Sequence, residues 1–193
     1  MTPPVCEARH KPASACPVVA WSAAGLLVAL AVLSAPALSA VSVVSLTIFV
    51  GWIAIEDLTR FTIPDAALGG MAAIAAFDLT QRAIFVAEPG LAMVLFTIEG
   101  IVCGGTLLLV REVYYRRRGH DGVGFGDVKL AGVGGLLCGV AGFSYALLAA
   151  SLAGLTLAGV TSQIRSRRRF DRLPFGALLA PAFLTIWLLG VGS

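Results

Sequence analysis

Two long stretches of the chain carry no charged side chain: residues 12–55 and residues 130–164. A transmembrane helix needs about 20 consecutive apolar residues, so each stretch is too long for one span and suits two. Over the whole chain, 58% of residues are hydrophobic, only 13% are charged and the mean hydropathy is +0.91. A soluble domain carries about twice that share of charge. These values exclude soluble globular, disordered and small disulfide-rich classes and indicate an integral membrane protein.

The hydropathy pattern predicts an all-α, polytopic bundle of about seven transmembrane helices, with residues 1–16 as a tail and residues 17–193 as the membrane domain. The predicted spans are residues 17–35, 38–55, 66–86 and 89–110, two helices within 130–164 that turn near 139–142, and residues 173–192. A cleaved signal peptide is an alternative for the first span, because Arg9 and Lys11 precede an apolar run and Ala35-Pro36-Ala37. Its removal would leave six spans.

The basic residues orient this bundle. With the N-terminus in the cytoplasm, all but one of the 14 Lys and Arg residues lie in the tail or in cytoplasmic loops, and only Arg82 falls outside. Positive charge marks cytoplasmic loops, so the distribution predicts a multi-pass protein of the plasma membrane with a cytoplasmic N-terminus. The net charge of +3 is explained in the same way and does not indicate a nucleic-acid partner.

Two carboxylates share one position in this topology. Asp57 ends the second predicted span and Asp127 opens the fifth, so both lie at the cytoplasmic face. Two carboxylates a few ångströms apart share a proton. The ionised member can then deprotonate a water while the protonated member polarises a carbonyl, without a metal or cofactor. The alternative is that both are interfacial charges that flank spans.

The sequence around each aspartate is unusual. Asp57 is followed by Ile63-Pro64-Asp65, which indicates the start of the third helix because proline is tolerated in a first helical turn. We expect Asp65 to cap that helix. Glycines precede Asp127 at positions 122, 124 and 126, and they allow a tight backbone that approaches its neighbours closely.

These segments resemble the prepilin peptidases, which are G-x-G-D intramembrane aspartic proteases also described as type IV prepilin-like leader peptidases. The family motif D-x5-[IL]-P-[ND] matches residues 57–65, and the motif G-x-G-D-x-K-L matches residues 124–130. Residues 173–177, Leu-Pro-Phe-Gly-Ala, are also similar to the family. The three motifs occur in order and lie on the predicted cytoplasmic side.

The resemblance implies that Asp57 and Asp127 are the catalytic pair of a peptidase domain in the inner membrane. The implied reaction removes the short basic leader of a type IV prepilin or pseudopilin, whose hydrophobic helix lies in the bilayer beside the enzyme. No metal or cofactor is implied, and self-association is left open. The residues implied to support the pair are Gly124, Gly126, Lys129, Pro64, Asp65, Pro174, Phe175 and Gly176.

Large members of that family carry a domain with paired Cys-x-x-Cys motifs and also methylate the new N-terminus. Cys6 and Cys16 do not reproduce this pattern, so the chain resembles the short members and N-methyltransferase activity is an open question.

Two other functions stay open on the residues alone. One is a small proton-coupled transporter with Glu99 and Asp78 as its relay, although Asp78 also suits a pair with Arg82, four residues on. The other is a non-catalytic scaffold of a secretion machine.

Overall fold

The regular elements of the structure are α-helices throughout the residues that the computed structural model describes, which are 40–83, 88–119, 122–164 and 174–190. This confirms the predicted all-α class. The predicted tail (1–16), the first helix with its signal-peptide alternative (17–35) and the basic loop (165–172) lie outside the described residues. The helices are α1 (Ala40–Arg60), α2 (Asp65–Ala83), α3 (Pro89–Arg118), α4 (Phe125–Ile164) and α5 (Gly176–Leu188).

Three segments are long and apolar enough to cross a membrane: Val41–Arg60, Pro89–Arg118 and Phe125–Gly159. Helix α5 is apolar but has only 13 residues, and α2 carries Asp65, Asp78 and Arg82. These helices are those of a membrane protein. The count of seven spans and the cytoplasmic N-terminus stay predictions.

Glycines set the break in α4 and the end of α3. Gly139 has φ 68° and ψ 178°, a combination open essentially to glycine alone, and it breaks α4 where the sequence predicts a turn between two helices. Helix α3 continues to Arg118, beyond its predicted end at Val110. Gly119 then adopts a left-handed conformation, φ 72°, and its N–H donates to the carbonyl of Tyr115 at 2.8 Å, as in many helix C-caps.

The core places the start of α5 beside the end of α1 and the start of α4. Helix α5 packs against α1 and α4, α2 against α1, and α3 against α4. Phe183 of α5 is fully buried; its ring lies over Gly134 and is stacked on Phe143 with 6.0 Å between centroids. Cys103 and Cys138 are buried free thiols, as the apolar runs around them predict. The largest fully buried side chains are Phe183, Leu46, Ile53, Met71, Leu130, Leu179 and Cys103.

Candidate active site

Asp57 and Asp127 are the two buried carboxylates among the described residues, with only 6% and 9% of their surfaces exposed. Asp57 lies in the last turn of α1, and Asp127 is the third residue of α4. Burial of a carboxylate is costly unless other groups compensate it. Two such residues at the same end of the bundle therefore mark this end as a candidate site.

The two carboxylates converge above Gly176, the first residue of α5. A methyl group on Gly176 would lie 3.1 Å from Asp57 Oδ2 and 3.1 Å from Asp127 Oδ1. The two oxygens are therefore at most about 6.2 Å apart. Because Gly176 has no side chain, it leaves the position between the two oxygens unfilled.

Backbone groups hold each aspartate. The N–H of Ala177 donates to Asp57 Oδ2 at 2.7 Å, so a free amide at the start of α5 satisfies a carboxylate at the end of α1. The N–H of Asp127 donates to the carbonyl of Gly124 at 3.2 Å. A methyl group on Gly124 would lie 3.3 Å from Asp127 Oδ2, so this oxygen turns towards Gly124 while Oδ1 faces Gly176.

A cavity of about 310 Å³ opens onto the two aspartates. Its walls come from the end of α1, the α1–α2 connection and the start of α4, so it joins the first two predicted motifs. Phe61 and Phe125 stand exposed at this cavity. The lining residues are Asp57, Phe61, Thr62, Ile63, Asp65, Gly124, Phe125, Gly126, Asp127 and Lys129.

Lys129 and Asp65 bind each other at the edge of this cavity. The Lys129 ammonium donates to Asp65 Oδ1 at 2.7 Å, with both side chains exposed. Asp65 is the first residue of α2, and the carboxylate that we expect to cap this helix binds Lys129 of α4. The ammonium also lies 5.4 Å from the centre of the Phe125 ring, which the Arg111 guanidinium approaches at 5.6 Å. These contacts join the starts of α2 and α4 and the last turns of α3.

Pro64 and Pro174 each lie just before a helix that begins next to the aspartates. The carbonyl of Pro64 accepts hydrogen bonds from the N–H groups of Ala67 and Leu68, so Pro64 leads directly into α2, as predicted. Pro174 precedes the partly buried Phe175, and the carbonyl of Phe175 accepts from Leu178 and Leu179 at 3.1 and 2.9 Å. The start of α5 is thereby held at the position where Gly176 and Ala177 meet the aspartates.

Three contributors to the site do not follow from the sequence reasoning. Ala177 acts through its backbone N–H, which no side-chain pattern reveals. Phe61 has φ 54°, an outlier for a bulky residue, and nothing in its local sequence predicts it. Ile63 lines the cavity; its place in the motif D-x5-[IL]-P-[ND] is the signal that could have identified it.

Glu56 precedes Asp57 in the sequence, whereas the candidate relay acids Asp78 and Glu99 lie on other helices, α2 and α3. Glu56 forms an ion pair with Arg60 at 3.1 Å, and Asp78 Oδ2 accepts from the indole N–H of Trp187 at 3.2 Å. Glu99 is partly buried in the middle of α3, and the side chain of Arg82 lies outside the described residues. Within the described part of the chain, no three His, Cys, Asp or Glu side chains are grouped so as to hold a metal ion.

Comparison with known proteins gives one result. The sequence model of the type IV leader peptidase family matches residues 44–159, which is more than half of the chain and includes both buried aspartates. No curated protein and no solved structure matches the chain significantly. Pro174, Phe175 and Gly176 lie beyond the matched range, and the fold brings them to the same site. The chain belongs to the type IV leader peptidase family.

Proposed function

We propose that the chain is an intramembrane aspartic endopeptidase that removes the short basic leader of type IV prepilins or pseudopilins at the cytoplasmic face of the inner membrane. The observation that carries the proposal is the pair of buried carboxylates, Asp57 and Asp127, which converge above Gly176 and line one cavity. Membership of a leader peptidase family supports the class of substrate.

The chemistry follows from a proton that the two carboxylates share. A water between them loses a proton to the ionised carboxylate while its oxygen attacks the scissile carbonyl. The protonated carboxyl donates a hydrogen bond to the carbonyl oxygen and stabilises the charge that develops there. Collapse of the tetrahedral intermediate breaks the C–N bond, and a carboxyl proton goes to the leaving amine.

The surroundings of the pair suit this reaction. The Ala177 N–H fixes one oxygen of Asp57 at 2.7 Å, which restricts the side chain to one orientation. Orientation of this kind supplies much of the rate enhancement of an enzyme, because the reacting groups need no rearrangement. The cavity of about 310 Å³ is large enough for a short extended segment of peptide backbone and a few side chains.

The decisive test replaces each aspartate by its uncharged isostere. Asp57→Asn and Asp127→Asn should each lower the rate of leader removal by about 10² to 10⁴-fold or more, because each removes one half of the acid–base pair. Leader loss is measured by mass spectrometry after co-expression with candidate prepilins that have a basic leader followed by an apolar run of about 20 residues.

Asp78→Asn is the matched control, because Asp78 is a carboxylate bound to Trp187, away from the pair, and asparagine keeps the acceptor oxygen. This variant should cleave at the wild-type rate. Cleavage by Asp57→Asn or Asp127→Asn at a rate close to that of the wild type would contradict the two-aspartate mechanism. Proton-coupled flux that is lost in Asp78→Asn or Glu99→Gln would favour the transporter.

A further inference from the structure

Ile63 contacts backbone segments from both of the other motifs. The three atoms nearest to a methyl group on Gly126 would be Cβ, Cγ1 and Cδ1 of Ile63, at 3.1, 3.1 and 3.2 Å. Cδ1 of Ile63 would also lie 2.9 Å from a methyl group on Gly176. One side chain thus lies between the residue that precedes Asp127 and the residue that precedes Ala177.

The α1–α2 connection directs Ile63 into this position. Helix α1 ends at Arg60, and the N–H of Phe61 donates to the carbonyl of Asp57 at 3.0 Å. The left-handed conformation of Phe61, φ 54°, turns the chain at once, and Pro64 leads into α2. A bulky residue seldom adopts this conformation unless its surroundings impose it. The short turn therefore leaves Ile63 few alternative positions.

The contact with Ile63 explains why both Gly126 and Gly176 lack a side chain. For Gly126, the nearest atoms that a side chain would meet all belong to Ile63. For Gly176, they are Ile63 Cδ1 and one oxygen of each aspartate. A partly buried isoleucine that packs against the core is rigid at its branched carbon, and it can act as a spacer of defined size.

We propose that Ile63 is a positioning residue that sets the separation of the two aspartates by holding the Gly126 and Gly176 backbones apart. This inference rests on the proposed function of the pair. Ile63 does not act on the substrate; it acts through Asp127, which follows Gly126, and through Asp57, which is bound by the residue after Gly176. Misplacement of reacting groups by about 1 Å can cost about 100-fold in rate.

The test truncates Ile63 in two steps. Ile63→Val removes Cδ1, the atom that reaches Gly176, and should lower kcat about tenfold. Ile63→Ala removes Cγ1 as well, leaves only Cβ near Gly126 and should lower kcat about 100-fold. KM should change much less than kcat, because the proposed effect of Ile63 is on the position of the aspartates and its share of the cavity wall is small. Kinetics are measured on the full chain in detergent, with a peptide that joins a basic leader to an apolar helix.

Ile74 provides the matched control, since it is a partly buried isoleucine of α2 that packs on the core, about three helical turns from Ile63. Ile74→Val and Ile74→Ala should lower the melting temperature while leaving kcat within about twofold of the wild type. If the Ile74 variants lost as much kcat as the Ile63 variants, general loss of packing would account for the effect and the spacer role would be overturned.

A double variant at Gly126 and Ile63 distinguishes the spacer role from a general role in packing, because only the spacer role predicts that the two effects on kcat compensate each other. Gly126→Ala alone places a methyl group against Ile63 and should lower kcat. In the double variant with Ile63→Ala, that methyl group no longer meets Cγ1 and Cδ1 of Ile63 and keeps only the contact with Cβ, so kcat should be clearly higher than the product of the two single effects. A double variant whose effects simply multiply would overturn the proposal.

Failure of the spacer role can be told from failure of the proposed function. If Asp57→Asn cleaves the peptide as fast as the wild type, the two-aspartate mechanism is wrong. If Asp57→Asn is inactive and Ile63→Ala keeps the wild-type kcat, only the spacer role is wrong.

Discussion

At the scale of single residues, the site depends on one position without a side chain. Gly176 lies where Asp57, Asp127 and Ile63 converge, and a methyl group there would be 2.9 to 3.1 Å from atoms of all three. The backbone of Gly176 is helical, so the position does not need glycine for its conformation. It needs glycine because any larger side chain would fill the space between the carboxylates.

Gly176→Ala should therefore lower kcat by about 100-fold or more, because its methyl group would push the carboxylates apart and fill the position that the proposed mechanism gives to the attacking water. The measurement is the rate of leader removal by the purified variant. Gly69→Ala is the control, because Gly69 is also helical and nothing lies within 4 Å of an added methyl group. Gly176→Ala with the activity of Gly69→Ala would contradict this description of the site.

The motifs predict the identities of most residues at this site but not their contacts. Asp57, Asp127 and Gly176 all stand in segments that the sequence singles out. The 2.7 Å contact between Asp57 and the Ala177 amide joins residues 120 positions apart, and no local pattern encodes such a distance. Lys129 is a second example, because its motif does not reveal that its partner is Asp65.

At the scale of elements, α3 and α4 approach closely because glycines line their contact. A methyl group on Gly104 would lie 3.2 Å from the Cα atom of Gly132. A methyl group on Gly135 would lie 2.7 Å from Cys103 Cβ and 3.1 Å from the carbonyl oxygen of Glu99. Small residues allow such contacts between helices in a bilayer. Close packing matters there because the hydrophobic effect does not drive helices together in lipid. The tight contact anchors α4, whose first turn carries Asp127.

Gly135→Ala should lower the free energy of unfolding by about 1 to 3 kcal/mol, because the added methyl group overpacks the contact with Cys103. Gly105→Ala is the matched change on α3, where an added methyl group has nothing within 4 Å. It should be neutral or stabilise by up to about 1 kcal/mol, as alanine does in helices. Reversible unfolding in detergent measures both variants, and equal stability of the two would contradict the close α3–α4 contact.

The difference between predicted and observed helix ends has a simple cause. Hydropathy predicts where a helix leaves the apolar phase, so it predicts that the fourth span ends at Val110. A helix satisfies its own backbone hydrogen bonds in water as well as in lipid, so α3 continues through charged residues to Arg118. It ends where Gly119 adopts a left-handed conformation. The break of α4 lies where the sequence predicts it, because the residue that causes the break, Gly139, is also the residue that predicts a turn.

At the scale of the whole molecule, the exposed surface is unusually apolar. Large side chains remain open to the surroundings on α1, α3 and α4, among them Ile48, Ile101 and Leu155, which are 62%, 67% and 71% exposed. A water-soluble protein seldom exposes so many large apolar side chains. Lipid is the natural environment for these faces, while the charged residues Arg116, Arg117 and Arg118 end α3 outside its apolar part.

The predicted orientation gives a test at this scale. The variant Arg117→Cys, at the basic end of α3, should react with a membrane-impermeant maleimide from the cytoplasmic side only. The variant Glu88→Cys, just before the other end of α3, should react from the opposite side only. Both are introduced after replacement of Cys6 and Cys16 by serine, and intact cells are compared with inverted vesicles. The reverse pattern would overturn the orientation that the basic residues predict.

The sequence by itself determined that this is a membrane protein and identified Asp57 and Asp127 as the two carboxylates of the candidate site. Charge-free stretches and the distribution of Arg and Lys are local properties, since the bilayer acts on each segment separately. The motifs around Asp57 and Asp127 are local as well. Only the tertiary structure decided that Gly176 lies between the carboxylates, that Ala177 holds Asp57 and that Ile63 separates two glycines. These contacts depend on how three helix ends pack, and packing is set by all the helices together.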